Sequence, residues 1–342
     1  MAPICCAAIY LQIRERRNNV SEILLETKNL KKYFPVGSKR LLHAVDNVNF
    51  QIETGKTLGV VGESGCGKST LGRLILRLIE PTEGEILFKG KNILKYTNTQ
   101  MKKIRQDMQI IMQDPYSSLN PRMTVFDLIA DTLKVNNTLK TKSEQEKRIF
   151  ELMDIVGIAK RLTYAYPHEL DGGRRQRVGI ARAIALNPSF IVCDEPVSAL
   201  DVSIQAQTLN LLMDLQRDLG LAYMFITHDL SVVKHISHRI MVMYLGQSVE
   251  AASSDELFSN PMHPYTQALL KAIPMPDPEF YKNNDLEIIK GEVASPIDPK
   301  PGCRFAVRCP YATDACTQQE IPLVEKAPGH FVACIHSQMI QF

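Results

Sequence analysis

Apolar residues along this chain follow two alternating rhythms. Some form short unbroken runs: residues 57–61 (TLGVV), 190–193 (FIVC) and 223–226 (YMFI). Runs this short and almost wholly apolar suit strands of a parallel sheet covered on both faces. Others recur at helical spacing. Leu71, Leu74, Ile75 and Leu78 share one face of a helix expected over 71–79, and residues 124–133 carry a second apolar face. Ser143 is placed to cap a helix running to Val156, with Gly157 as its stop. Residues 175–186 read as a further strong helix. Short strands and turns over 23–112 therefore surround one helix, 114–186 is mostly helical, and 190–249 returns to strand–helix alternation. A mostly parallel sheet is expected, in an α/β fold. There is no internal repeat and no low-complexity tract.

The chemistry-bearing residues stand where these runs end. Residues 62–69 read GESGCGKS, which fits the Walker A pattern G-x-x-x-x-G-K-[ST] between a strand and a helix. Glycines allow the tight turn that converges backbone N–H groups on phosphates, and the helix N-terminus adds partial positive charge. Gly62, Ser64, Gly65, Cys66, Gly67, Lys68, Ser69 and Thr70 are the candidate nucleotide contacts. Lys68 would reach the β- and γ-phosphates, and the Ser69 hydroxyl would hold Mg²⁺. The second run ends in Asp194-Glu195, at the carboxyl end of its strand, where ligands of parallel sheets bind. Asp194 is expected in the Mg²⁺ shell, and Glu195 as the group that polarises the attacking water. The third run ends in Thr227-His228-Asp229, and His228 is assigned a γ-phosphate contact.

Composition narrows the alternatives. A chain of 342 residues suggests a main domain plus an appendage. A formal net charge of +3 does not call for nucleic-acid binding. No apolar run approaches the ~18–20 residues that span a bilayer, so a membrane role would run through partners. The start is apolar to Ile13 and then basic, the reverse of a secretory signal. It reads as a disordered leader, with a misassigned start or a membrane-surface anchor as alternatives.

From about Ile23 onward the chain resembles the ATPase subunits of ABC transporters, with the motifs in the expected order. The resemblance implies a P-loop ATPase domain with antiparallel β and helical subdomains. It implies that Phe34 stacks on adenine (Tyr33 is the runner-up), that Gln113 touches Mg²⁺ and the attacking water, and that Asp201 lies in the D-loop and His228 in the switch. Residues 170–177 read LDGGRRQR where the family usually has L-S-G-G-Q-x-Q-R. In this family each ATP lies between one Walker A loop and the partner's signature, so Asp171, Gly172 and Gly173 would face the partner's ATP. An ionised Asp171 would repel the γ-phosphate by about 4 kcal/mol per pair of unit charges at ~4 Å and an effective dielectric near 20. Arg174 stands ready to neutralise it or to reach the phosphate itself. Tolerated drift is the plain alternative to one weakened composite site.

The tail resembles the C-terminal extension of oligopeptide and dipeptide importer ATPases, through residues 260–270 (NPMHPYTQALL) and 302–310 (GCRFAVRCP). Expected boundaries are an N-terminal extension over 1–21, an ABC ATPase domain over 22–256 with its helical subdomain about 114–186, and the extension over 257–342. Cys303, Cys309, Cys316 and Cys334, half of the chain's eight cysteines, fall in it with spacing C-x5-C-x6-C-x17-C. That spacing lacks the paired C-x2-C of zinc knuckles. Four thiolates suit a [4Fe–4S] cluster, which the resemblance also implies, with Arg304 and Arg308 offsetting its charge. Zinc and unliganded thiols stay open as alternatives. The resemblance thus implies an ATP-hydrolysing subunit of a peptide importer on the cytoplasmic face of the membrane. Its implied partners are a second ATPase subunit in a heterodimer, two transmembrane permease subunits and an extracytoplasmic binding protein. A related nickel or small-solute importer, or a regulatory subunit with weak turnover, is the alternative.

Overall fold

The computed structural model describes residues 22–37, 39–135, 141–273, 291 and 294–337. The expected N-terminal extension over 1–21 lies outside them.

Two sheets organise the chain. β1 (Ile23–Val36) and β2 (Arg40–Glu53) pair antiparallel, and β1 also pairs with β4 (Glu83–Phe88), which pairs with β5 (Lys91–Asn92). The larger sheet has the order β11-β12-β10-β9-β3-β8-β7-β6. Its parallel part comprises β3 (Thr57–Val61), β6 (Met108–Ile111), β7 (Phe190–Asp194), β8 (Ala222–Ile226) and β9 (Arg239–Tyr244). Every residue of β3, β7 and β8 is buried, as unbroken apolar runs require. β10 (Gln247–Ser253), β11 (Val324–Ala327) and β12 (His330–Val332) extend it antiparallel.

The helices used below are α1 (Lys68–Ile75), α2 (Val125–Val135), α3 (Lys142–Ile155), α4 (Gly172–Ile184), α5 (Val202–Leu219), α6 (Leu230–Ile236) and α7 (Pro264–Lys271). α2, α3 and α4 share one apolar cluster through Leu128, Ile129, Ile149, Leu152, Val178 and Ala181. Among the described residues no helix is long and apolar enough to cross a membrane.

Two expectations need correction. The helix expected over 71–79 ends at Ile75. Leu71, Leu74 and Ile75 are fully buried, but Arg77 takes φ +49° and turns Leu78 outward, 50% exposed. The expected cap Ser143 lies inside α3. Thr141 caps it instead, because its hydroxyl accepts Glu144 N–H at 3.2 Å while Glu144 Oε2 accepts Thr141 N–H at 3.1 Å. That reciprocal box needs Glu three residues after the cap, which favours Thr141.

The C-terminal segment is anchored on the sheet. β12 pairs with β10, and His330 on β12 meets Glu250 on β10 at 2.7 Å with both side chains fully buried. Glu250 also accepts the N–H groups of Met262 and His263 at 2.7 and 3.0 Å. A buried carboxylate so fully bonded avoids the cost of an unpaired charge.

Candidate nucleotide site

β3, β7 and β8 deliver their carboxyl ends to one rim. After β3 the chain turns through residues 62–67 into α1. Gly67 holds φ +104°, and a Cβ there would sit 2.0 Å from Ala44 O, so only glycine fits. Because Gly67 has no side chain, no side-chain cap bond closes the start of α1. Lys68 is buried, and its Nζ donates to Gly62 O at 2.7 Å and Glu63 O at 2.9 Å, with Cys66 Sγ 3.8 Å away. The ammonium is thereby held by the loop's own carbonyls.

The strand-end residues form a connected set. Ser69 Oγ donates to Asp194 Oδ1 at 2.7 Å. Burial pushes the Asp194 carboxyl up, and the Ser69 bond opposes that. Gln113 Nε2 donates to Glu195 Oε2 at 2.8 Å, and His228 Nδ1 lies 3.3 Å from Glu195 Oε1. Glu195 takes φ +48°, a costly conformation for a non-glycine residue. Its N–H donates to Ile226 O at the end of β8, which holds that turn against the next strand. Residues expected from three separate motifs thus meet at one carboxylate.

These groups open onto a cavity of about 500 Å³. Of the expected contacts, Phe34, Ser64, Gly65, Gly67, Lys68, Ser69, Thr70, Gln113, Glu195 and His228 line it. Gly62, Cys66 and Asp194 are not in its wall but bond to residues that are. Tyr33 is not in the wall: it stacks on His43 at 3.9 Å and donates its hydroxyl to Asp46 Oδ1 at 2.6 Å. Leu42, His43, Ala44, Leu245, Gly246 and Pro296 complete the wall, and sequence reasoning missed them all. They carry no motif; chain topology alone gathers them there.

Asp171, Gly172, Gly173 and Asp201 are not in this wall. Asp171 caps α4, its Oδ1 accepting Arg174 N–H at 2.7 Å, and its Oδ2 lies 3.0 Å from Arg174 Nη1. Both side chains are about half exposed, so this ion pair adds little stability. Gly172 and Gly173 open the helix against α5: a Cβ on Gly173 would meet Ile204 Cγ2 at 2.5 Å. Asp201 caps α5 by accepting Ile204 N–H at 3.0 Å.

The tail cysteines behave differently from the expectation. Cys303, Cys309, Cys316 and Cys334 line one small cavity of about 10 Å³, beside His263 and Phe305. Among the described residues, no three His, Cys, Asp or Glu side chains are grouped to hold a metal ion, so the iron–sulfur expectation gains no support there. Burial pushes the Cys303 thiol up to about 11 and raises Cys309 and Cys334 too. Arg304 and Arg308, expected to offset a cluster's charge, are engaged elsewhere. Arg304 pairs with Asp46 and Arg308 with Glu63, because buried guanidinium groups take the nearest carboxylates. Cys66 and Cys193 are buried in the nucleotide motifs, and burial raises both thiols.

A strand-to-helix Walker A turn, an acidic strand end and a glutamine and histidine converging on its glutamate define the ATPase cassette class. Residues 45–198 match the ABC transporter family, and residues 249–316 match the oligopeptide/dipeptide transporter C-terminal region. The putative oligopeptide transport ATP-binding protein YkfD of Bacillus subtilis is 50% identical over 311 residues, covering 91% of this chain and 94% of that protein. The oligopeptide transport ATP-binding protein OppF of Escherichia coli is 47% identical over 322 residues, covering 92% and 96%. Among solved structures, the dimeric post-hydrolysis state of the ATP-binding cassette MJ0796 bound to ADP and Pi aligns with a TM-score of 0.62 and 30% identity, over 67% of this chain and 98% of that one. The chain belongs to the ABC transporter ATPases that carry the oligopeptide/dipeptide C-terminal region.

Proposed function

We propose that this chain is the ATP-hydrolysing subunit of an importer for di- and oligopeptides, seated on the cytoplasmic face of the membrane. The observation that carries the hydrolytic part is the meeting of Gln113 and His228 on the Glu195 carboxylate, beside Lys68 and Ser69. The names of the relatives carry the peptide part. Its partners are a second ATPase subunit in a heterodimer, two permease subunits and an external binding protein.

In this reading the triphosphate lies over the start of α1, whose N–H groups and Lys68 take its oxygens, and Phe34 stacks on the base. Ser69 and Asp194 offer hard oxygen ligands that would hold Mg²⁺, whose charge would offset that of the phosphates. Glu195 accepts the proton of the attacking water as the new P–O bond forms and the β–γ bridge breaks. Gln113 and His228 hold that carboxylate in line. Glu195→Gln keeps the shape and removes the base. We expect MgATP binding unchanged and turnover lowered on the order of 10²-fold or more, with peptide uptake lost. Turnover within about twofold of wild type, a barrier change near 0.4 kcal/mol, would contradict the assignment.

The four tail thiols are read as ligands of an iron–sulfur cluster. The reading rests on four thiols, a ligand set that suits such a cluster, lining one cavity. The measurement is iron and acid-labile sulfide in protein purified without oxygen, where Cys309→Ser should lower both. Stoichiometric zinc without sulfide, or no metal in oxygen-free preparations, overturns it.

A further inference from the structure

The extension reaches into the nucleotide site from behind. Arg304 stands two residues before one short turn (Ala306–Arg308) and Arg308 ends it; both are nearly buried, with side chains 6% and 8% exposed. Each ends on a different carboxylate, Glu63 for Arg308 and Asp46 for Arg304. Arg308 Nη1 donates to both carboxylate oxygens of Glu63 at 3.0 Å and lies 3.3 Å from the Tyr244 hydroxyl. Arg304 bonds to Asp46 and to Leu245 O.

Glu63 is the second residue of the Walker A loop, and every polar group it has is held. Its carboxylate is on Arg308, its N–H donates to the Tyr265 hydroxyl on α7 at 2.9 Å, and its carbonyl accepts Lys68 Nζ at 2.9 Å. Two of those three holds come from the C-terminal segment, and the third aims the lysine ammonium. Left free, a carboxylate on this loop would repel an incoming triphosphate. Asp46, the partner of Arg304, accepts from Tyr33 and lies 3.2 Å from His43 Nδ1, and its N–H donates to Gly246 O. Gly246 N–H in turn donates to Cys66 O in the Walker A loop, and both His43 and Gly246 line the cavity.

We propose that Arg304 and Arg308 are positioning residues for the nucleotide site. Arg308 acts through Glu63 on Lys68, and Arg304 acts through Asp46 and Leu245 on the part of the wall that Gly246 ties to the Walker A loop. The extension is then part of the ATP site and not only an appendage to it. This rests on the cavity being the ATP site, which Lys68→Ala tests separately by abolishing binding.

The experiment measures MgATP dissociation constants for the full-length chain, with thermal stability in parallel. Arg308→Ala is expected to weaken binding about tenfold, the loss of one charge-assisted hydrogen bond. Glu63→Ala combined with it should recover part of that loss, because it removes the carboxylate that Arg308 no longer holds and the two act as one unit. Arg308→Lys, which keeps the charge and loses the planar donor set, should recover part of the affinity. Wild-type affinity in a folded Arg308→Ala variant overturns the proposal, as does full additivity with Glu63→Ala. If Arg308→Ala does not fold, Arg308→Lys and Arg308→Gln carry the test: Gln should bind more weakly than Lys, and equal affinities or a shared failure to fold overturn it. If Lys68→Ala binds as wild type, the site assignment fails instead.

Discussion

Two helices of this protein begin at glycine-rich turns and treat their free N–H groups in opposite ways. α1 follows Gly67, which brings no side chain, so no side chain caps its start, and Lys68, Ser69 and Thr70 there line the cavity. α4 follows Asp171, whose carboxylate accepts Arg174 N–H at 2.7 Å and pairs with the Arg174 guanidinium. A helix start attracts an anion. At α1 no side chain takes that place. At α4 the protein's own carboxylate occupies it, and an arginine already balances the charge. The lesson is that a good N-cap and a good phosphate site compete for the same donors. An Asp cap stabilises its helix by about 1 kcal/mol, and the same contact works against an external anion.

The largest effect should come from closing the open helix start. Gly67→Ala puts a methyl group 2.0 Å from Ala44 O in a backbone with φ +104°. Strain of on the order of 1–3 kcal/mol is expected, with MgATP binding lost. Gly172→Ala at the start of α4 meets only Leu200 Cδ2 at 3.4 Å, so thermal stability should change little. Calorimetry of both variants, with nucleotide titration of the first, checks the contrast. Equal destabilisation would break it.

The open helix start was legible in the sequence because its determinants are local. Strand, glycine turn, lysine and serine occupy consecutive positions, and Glu195 follows its strand directly. The pairing of Asp171 with Arg174 was legible for the same reason, because the two lie only three residues apart. Long-range contacts were not legible. Arg308 and Glu63 are 245 positions apart, and no local rule pairs them. The two arginines look like counter-charges for nearby thiolates until the fold brings Asp46 and Glu63 closer. Leu78 fits the helical period yet lies outside, because period alone does not reveal where Arg77 breaks the helix.

The smaller and more telling effect concerns the closed helix start. In a heterodimer, this chain's ATP would meet the partner's signature, and the partner's ATP would meet Asp171 and Arg174. The most direct measurement is hydrolysis with one Walker B glutamate disabled at a time. The account predicts that Glu195→Gln removes most of the turnover and that disabling the partner's glutamate removes little. It also predicts that Asp171→Ser with Arg174→Gln raises the rate at the partner's site alone. Equal rates from the two sites before that reversion would contradict it.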